Sequence, residues 1–195
     1  MRIFLAGATG VIGLRLIPLL LSQGHVVAGM TRSPEKLKSL RDLGAAPVLC
    51  DLYDERGLRD AVTGFGPDLV MHQLTDLPDE RERIPEFPAG NNRIRTERTL
   101  NLLAAKWDAG VRRFLAQSIA WTPAGGGEAI AEHEGMVLDA HGVVIRYGAF
   151  YGPGTYSGNG HRPAPPRIHI DEAARRTVEF LDAPSGVVVV AEEAS

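Results

Sequence analysis

Seven residues near the start, Gly7-Ala8-Thr9-Gly10-Val11-Ile12-Gly13, set three glycines at even spacing between an apolar run, Arg2 to Ala6, and an amphipathic stretch, Val11 to Ser22. That is the order strand, tight turn, helix, and each glycine then has its own use. Gly7 permits the turn, Gly10 lets the backbone approach a pyrophosphate, and Gly13 lets the helix pack closely on the strand. The unbonded amides where the helix opens, at Val11 and Ile12, are donors for phosphate oxygens. Gly7, Thr9, Gly10, Val11, Ile12 and Gly13 are therefore candidate dinucleotide contacts. The next apolar run ends in Met30-Thr31-Arg32-Ser33, with no acidic residue to hold a ribose 2′-hydroxyl. Arg32, beside Thr31, offers a guanidinium fork to a 2′-phosphate instead, so the expected cofactor is NADP, with NAD as the alternative.

Other groupings of reactive side chains fail on spacing. His133-Glu134 opens like a zinc-protease helix, but Val137 stands where the second histidine belongs. His161, His169 and Asp171 are split by a proline-rich stretch, and no metal is expected. Ser118, His72 and Asp51 have the composition of a hydrolase triad without the G-x-S-x-G turn that would expose the serine. Cys50 is the sole cysteine, which excludes an internal disulfide.

The elements that must position these residues alternate along the first half of the chain. Strands are expected at Arg2 to Ala6, His25 to Met30, Ala46 to Cys50, Asp68 to His72, Arg113 to Gln117, Gly142 to Arg146 and Val187 to Val190. Helices are expected at Val11 to Ser22, Pro34 to Leu43 with Ser33 as N-cap, Asp54 to Val62, Asn92 to Ala109 and Asp171 to Leu181. This predicts an α/β fold, a Rossmann-like doubly wound parallel sheet in three α/β/α layers, spanning residues 1–195 as one domain. Two Gly/Pro-rich loops, 122–127 and 152–167, follow strand ends, the edge where such sheets bind ligands.

The GxxGxxG spacing resembles the short-chain dehydrogenase/reductase superfamily, and further pieces resemble its NAD-dependent epimerase/dehydratase-like branch. Cys50-Asp51-Leu52 is similar to the strand end whose acid contacts adenine. Val70-Met71-His72-Gln73-Leu74-Thr75 is similar to the strand end that passes the nicotinamide ribose. The resemblance makes Asp51, Leu52, Leu74 and Thr75 cofactor contacts. Arg113 to Ser118 looks like the strand leading to the catalytic serine, and Val144 to Gly154 resembles the RxxxxYGPG stretch beside the nicotinamide. Arg167 to Asp171 is similar to the late HxxD segment.

The chain also departs from that pattern. Its three lysines, Lys36, Lys38 and Lys106, all precede the helix expected at Glu128 to Asp139, and no Tyr-x-x-x-Lys exists. Ile119 stands at the second hydroxyl position, and Arg95 stands where the family has a helix asparagine. The remaining candidates for a proton donor are Ser118, Tyr147 and Tyr151. The expected activity is hydride transfer on a small carbonyl or alcohol, and the alternative is a dinucleotide-binding protein without turnover.

The composition frames these expectations. Of 195 residues, 44% are hydrophobic and 23% charged, which excludes a disordered chain. The net charge of −3 gives no basic face for nucleic acid or an anionic membrane. The apolar stretch at the start is interrupted by glycines and Arg15, so neither a signal peptide nor a membrane span is expected. The expected setting is cytoplasmic, with a small-molecule substrate; assembly into a homo-oligomer is left open.

Overall fold

The computed structural model describes residues 1–78, 82–83, 88–121, 127–158 and 160–192. Its strands are β1 (Arg2–Ala6), β2 (Val26–Thr31), β3 (Ala46–Leu49), β4 (Leu69–His72), β5 (Arg113–Ile119), β6 (Val143–Tyr147), β7 (Ala149–Tyr151), β8 (Arg167–His169) and β9 (Gly186–Val190). The central sheet runs β3-β2-β1-β4-β5-β6-β9, with every neighbouring pair parallel. The order reverses at β1, so β2 and β4 flank it and leave a crevice above its carboxyl end. The parallel pair of β7 and β8 lies outside that sheet and was not anticipated. It closes the loop expected at 152–167 at Arg167, while most of the loop expected at 122–127 falls outside the described residues.

Strand residues alternate between two apolar layers, as the period of two demands. Ile3, Leu5, Met71, Leu115, Ile145 and Tyr147 pack on α1 (Gly13–Ser22), α2 (Leu37–Asp42) and α7 (Ile170–Val178) through Leu16, Ile17, Leu40, Ala173 and Ala174. Phe4, Ala6, Val70, Phe114, Ala116 and Val144 face the opposite layer. There Leu58 and Val62 come from α3 (Glu55–Phe65), Leu102 and Leu103 from α5 (Thr99–Asp108), and Val137 from α6 (Gly127–Asp139). Apolar residues on both faces of each central strand account for the near-continuous hydrophobic runs.

Local signals set the ends of some helices. The Asp54 carboxylate accepts from the Gly57 amide at 2.9 Å and opens α3, and Gly66, left-handed at φ 62°, closes it. Ser33, expected as an N-cap, makes no side-chain cap bond, and the turn after it is a 3₁₀ segment, Pro34–Lys36, before α2. The helix expected at Asn92 to Ala109 is broken. It consists of α4 (Pro88–Arg93), a π-helical turn over Ile94–Arg98, and α5. The Thr99 hydroxyl lies 3.3 Å from the Ile94 carbonyl, five residues back, and the ladder of i to i−4 bonds gives way at that point.

Candidate functional site

The turn after β1 is built so that two of its glycines cannot be replaced and the third can. At Gly7, with φ 90°, a Cβ would lie 2.4 Å from the Gln73 carbonyl oxygen. At Gly13 it would lie 2.3 Å from the Gly7 carbonyl oxygen. At exposed Gly10 it would meet only the Gly7 carbonyl oxygen, at 3.3 Å, and otherwise open space. The Gly10 amide donates to the Gly7 carbonyl at 3.0 Å and closes the turn. Among the described residues, the amides of Val11, Ile12 and Gly13 find no backbone acceptor. An open cradle with unbonded donors at a helix start fits a pyrophosphate.

Around that cradle the other expected contacts gather. Thr9 Oγ1 lies 3.2 Å from Thr31 Oγ1, tying the turn to the end of β2. Arg32 is 61% exposed along its side chain and reaches Asp76 at 3.4 Å, and these two residues follow the strands on either side of β1. At the end of β3, Asp51 is exposed and its carboxylate accepts from the Tyr53 amide at 3.0 Å, while buried Leu52 gives its carbonyl to Asn101 at 2.9 Å. Tyr53, absent from the expected set, has the guanidinium carbons of Arg98 and Arg93 at 4.1 and 4.9 Å from its ring centre. Burial pushes the neighbouring Cys50 thiol up to about 11, so it stays protonated. On the far side, Arg15 joins the turn to later segments. It donates to the Val11 carbonyl at 2.8 Å and to the Pro153 carbonyl at 2.5 Å, and pairs with Asp171 at 2.6 Å.

A cleft of about 40 Å³ opens between the ends of β4 and β5, beneath the π turn. Leu74 and Thr75 line it from β4, Gln117, Ser118 and Ile119 from β5, Ile94 and Arg95 from the π turn, and His133 from α6. Behind it His72 and His133 share one hydroxyl. His72 Nδ1 accepts from the Leu74 amide at 3.3 Å, so its Nε2–H donates to Thr99 Oγ1 at 3.1 Å. Thr99 in turn donates to His133 Nδ1 at 2.9 Å, and His133 Nε2–H donates to the Gln117 carbonyl at 2.9 Å. Burial, with the nearby His133 second, pulls His72 down to about 3, and burial lowers His133 too. Both rings are neutral at pH 7 and neither can serve as an acid. A larger cavity, about 350 Å³, lies at the opposite end of β5 and β6 beside Arg113 and Val143. It is on the amino edge of the sheet, away from the glycine turn, and ligands of open parallel sheets bind at the carboxyl edge.

The three hydroxyls expected as proton donors are not brought together. Ser118 lines the cleft, but its hydroxyl donates to Glu134 Oε1 at 2.5 Å. Arg146, beside Ser118 in register, grips the same carboxylate at 2.9 and 2.5 Å. Burial alone would raise Glu134, but the bonds from Arg146 and Ser118 outweigh it and hold the carboxyl below its usual value. Tyr147 faces the other side of the sheet. It is 2% exposed and donates to Thr177 at 2.6 Å, and its phenol is pushed well up by burial. The expectation that it serves as a donor beside the cleft is corrected by the alternation of β6, which turns Arg146 and Tyr147 to opposite faces. Tyr151 donates to the Glu192 carboxylate and packs edge-on to His169 at 5.2 Å, outside the cleft. Among the described residues no cluster of His, Cys, Asp and Glu could hold a metal, and no helix is long and apolar enough to cross a membrane.

Comparison with known proteins meets this geometry. The chain is 37% identical over 180 residues to a Streptomyces 3-diazoavenalumate denitrifying reductase, covering 80% of this chain and 58% of that protein. It is 36% identical over 90 residues to the decarboxylating sterol-4-alpha-carboxylate 3-dehydrogenase of Dictyostelium discoideum, covering 46% and 27%. This chain thus aligns with little more than half the length of the first relative and about a quarter of the second. The fold is similar to the UDP-glucose 4-epimerase of Thermus thermophilus, solved with NAD, at a TM-score of 0.78 and 21% identity over 100% of this chain and 78% of that one. A model of the NAD(P)H-binding family matches residues 7–135, from the first glycine of the turn to the middle of α6, and on that match the chain belongs to the NAD(P)H-binding family.

Proposed function

We propose that this protein is an NADP(H)-dependent reductase of a small organic electrophile, with the Gly7–Gly13 turn holding the pyrophosphate and the mouth of the cleft between β4 and β5 seating one end of the acceptor. The observation that carries the reading is the pairing of an open phosphate cradle at Gly10 with a cleft two strands away on the same carboxyl edge. A reduced nicotinamide, when bound, supplies a hydride. The chain's own part is to orient the acceptor and keep water from it. Leu74, Ile94 and Ile119 give the cleft apolar walls, and Thr75 adds an aliphatic hydroxyl.

Which electrophile it reduces turns on the missing acid. A ketone that accepts hydride becomes an alkoxide and needs a proton, and a positioned general acid is worth about 10² to 10⁴ in rate. Here Ser118, Tyr147 and Tyr151 each spend their proton on a bond within the protein. An acceptor that is already cationic needs no such group. In an aryl diazonium ion the hydride forms a new C–H bond, the C–N bond breaks and N₂ departs with both electrons of that bond, so no proton is consumed. The similar Streptomyces protein is a denitrifying reductase of a diazo compound. We therefore favour a diazonium-type acceptor over a carbonyl.

Two measurements test this. Following NADPH oxidation by its absorbance, turnover of an aryl diazonium salt should exceed that of ketones and quinones by about a hundredfold or more, the worth of the absent acid. Ser118→Ala and Tyr151→Phe should change it by less than about threefold, far below the loss of a working acid. Brisk ketone reduction that collapses in Tyr151→Phe refutes the acid-free reading, and tight NADPH binding with no oxidation by any acceptor replaces it with a binding protein that does not turn over. For the cofactor, Arg32 should favour NADPH over NADH about ten- to a hundredfold, the range of hydrogen bonds to a charged group. Calorimetry should show Arg32→Ala erasing that preference, and a preference for NADH that survives the change rejects the NADP assignment.

A further inference from the structure

We infer that Arg95 is the anchor for a carboxylate on the acceptor, so that the cleft selects organic monocarboxylates with the reacting carbon held away from the acid group. The inference deepens the reductase reading and rests on it for the place of the reacting carbon.

Four other arginines of intermediate burial are each engaged. Arg15 holds two carbonyls and Asp171, Arg146 holds Glu134, Arg167 holds Glu192, and Arg176 donates to the Ala191 and Val189 carbonyls. Buried Arg98 lies over the Tyr53 ring. Arg95 is also half-buried, yet among the described residues its guanidinium has no hydrogen bond, no ion pair and no aromatic ring. Burial alone acts on it, pulling its pKa down with no carboxylate to offset the cost. A charge withdrawn from water in this way is kept at a cost unless something arrives to pair with it. The nearest built carboxylate, Glu134, is taken by Arg146 and Ser118.

The turn that carries Arg95 packs directly on the histidine pair. The Arg95 carbonyl lies 3.2 Å from His133 Nδ1, and the Ile94 carbonyl lies 3.3 Å from Thr99 Oγ1, although the single Thr99 proton is spent on His133 Nδ1. Thr99 and His133 thus sit under the π turn and set where it lies over the cleft. What they present is a guanidinium at a mouth whose other walls include Leu74 and Ile119. A planar anionic end matches that lining, because the guanidinium fork takes both oxygens of a carboxylate at once, and at about 40 Å³ the cleft seats that end while the apolar body extends from its mouth. The dinucleotide's phosphates are the other anions at hand, but their donors are the amides at the end of β1 on the far side of β4.

The experiment is calorimetric titration of the protein saturated with NADP⁺, using cinnamate and its methyl ester as probes. Cinnamate should bind the parent about ten- to a hundredfold more tightly than the ester, the range of a charge-assisted pair. Arg95→Gln should remove that advantage while leaving NADP⁺ binding and the melting temperature unchanged, and Arg95→Lys should restore part of it. Equal binding of acid and ester by the parent, failure of cinnamate to bind, or an undiminished advantage in Arg95→Gln each overturn the assignment. Those outcomes leave the reductase reading standing if NADPH is still oxidised by an aryl diazonium salt that carries no carboxylate. Loss of NADP⁺ affinity in Arg95→Gln means that the guanidinium serves the cofactor, which overturns it as well.

Discussion

Gly10→Val should weaken dinucleotide binding by about a hundredfold or more and leave the protein folded, whereas the same change at Gly13 should unfold it. The two positions share a turn and differ in what a side chain would meet. At Gly13 a Cβ falls 2.3 Å from one carbonyl oxygen and 2.7 Å from the next, both backbone, so helix and strand must separate to admit it. Disruption of that close packing should cost more than about 4 kcal/mol, at the far end of what single substitutions do. At Gly10 the one close neighbour is a carbonyl oxygen at 3.3 Å, which a small shift relieves. The valine then fills the space above the unbonded amides, and affinity for NADPH should fall by about a hundredfold or more, some 2.7 kcal/mol. Thermal melts read the fold, and fluorescence of bound NADPH reads the site. A folded Gly10→Val protein that binds normally would put the pyrophosphate elsewhere.

Acid is the second expected source of a large effect. His72 ordinarily titrates at 6.5, but in the folded chain it holds no proton until about pH 3. Between those values the unfolded chain binds a proton that the folded chain refuses, so stability is unaffected above pH 6.5 and falls as the pH drops below it. The loss is about 1.4 kcal/mol per pH unit, or about 2.7 kcal/mol at pH 4.5, from this ring alone. His133, lowered by burial, and His25, lowered by burial and by the terminal ammonium, add in the same direction. Glu134 acts in a lower window. Its folded value lies below the ordinary 4.5, so the stability it lends is present above 4.5 and is lost only as the pH falls through that depressed value. Urea melts from pH 7.5 to 4.5 should therefore show a steady decline with a slope above one proton. His72→Gln, which can still donate to Thr99 and accept from Leu74, should flatten that slope by about one proton. A level profile across the range would falsify the neutral buried pair.

The strands and the glycine turn were legible because both depend on short stretches of chain. A run such as Ile3-Phe4-Leu5-Ala6 is apolar at every position, as a strand covered on both faces is, and the glycines at 7, 10 and 13 lie within one turn. Residues whose role depends on a partner were harder to see. Ser118 reads as a catalytic hydroxyl until Glu134, sixteen residues on, takes its proton. Tyr147 reads as a donor until the register of β6 turns it toward Thr177 and α7. The parity was available, since Val144 and Arg146 must share one face and Ile145 and Tyr147 the other, but it could be used only once β5 and β6 were known to lie side by side. The break at Ile94 was hidden for a related reason. Its 3.6-residue pattern continues from α4 into α5, and the contacts at the extra residue in the turn come from His133 and Thr99. Arg95 was noticed as a departure from a family pattern, and its lack of a counter-charge among the described residues becomes visible only in three dimensions.

The Arg15 clasp ties two parts of the chain that would otherwise open separately. Its guanidinium holds the Val11 carbonyl in the glycine turn and the Pro153 carbonyl in the Gly/Pro-rich segment, with Asp171 as the third tether. Any fluctuation that peels the segment away takes the guanidinium from the turn or breaks the bond to Pro153, so the two regions share part of one opening energy. Amide exchange at Gly10 and at Thr155, each bonded within its own region, should then be coupled. Whatever stiffens the turn also shields the stretch from Pro153 to Tyr156 from proteases, without contact between the two.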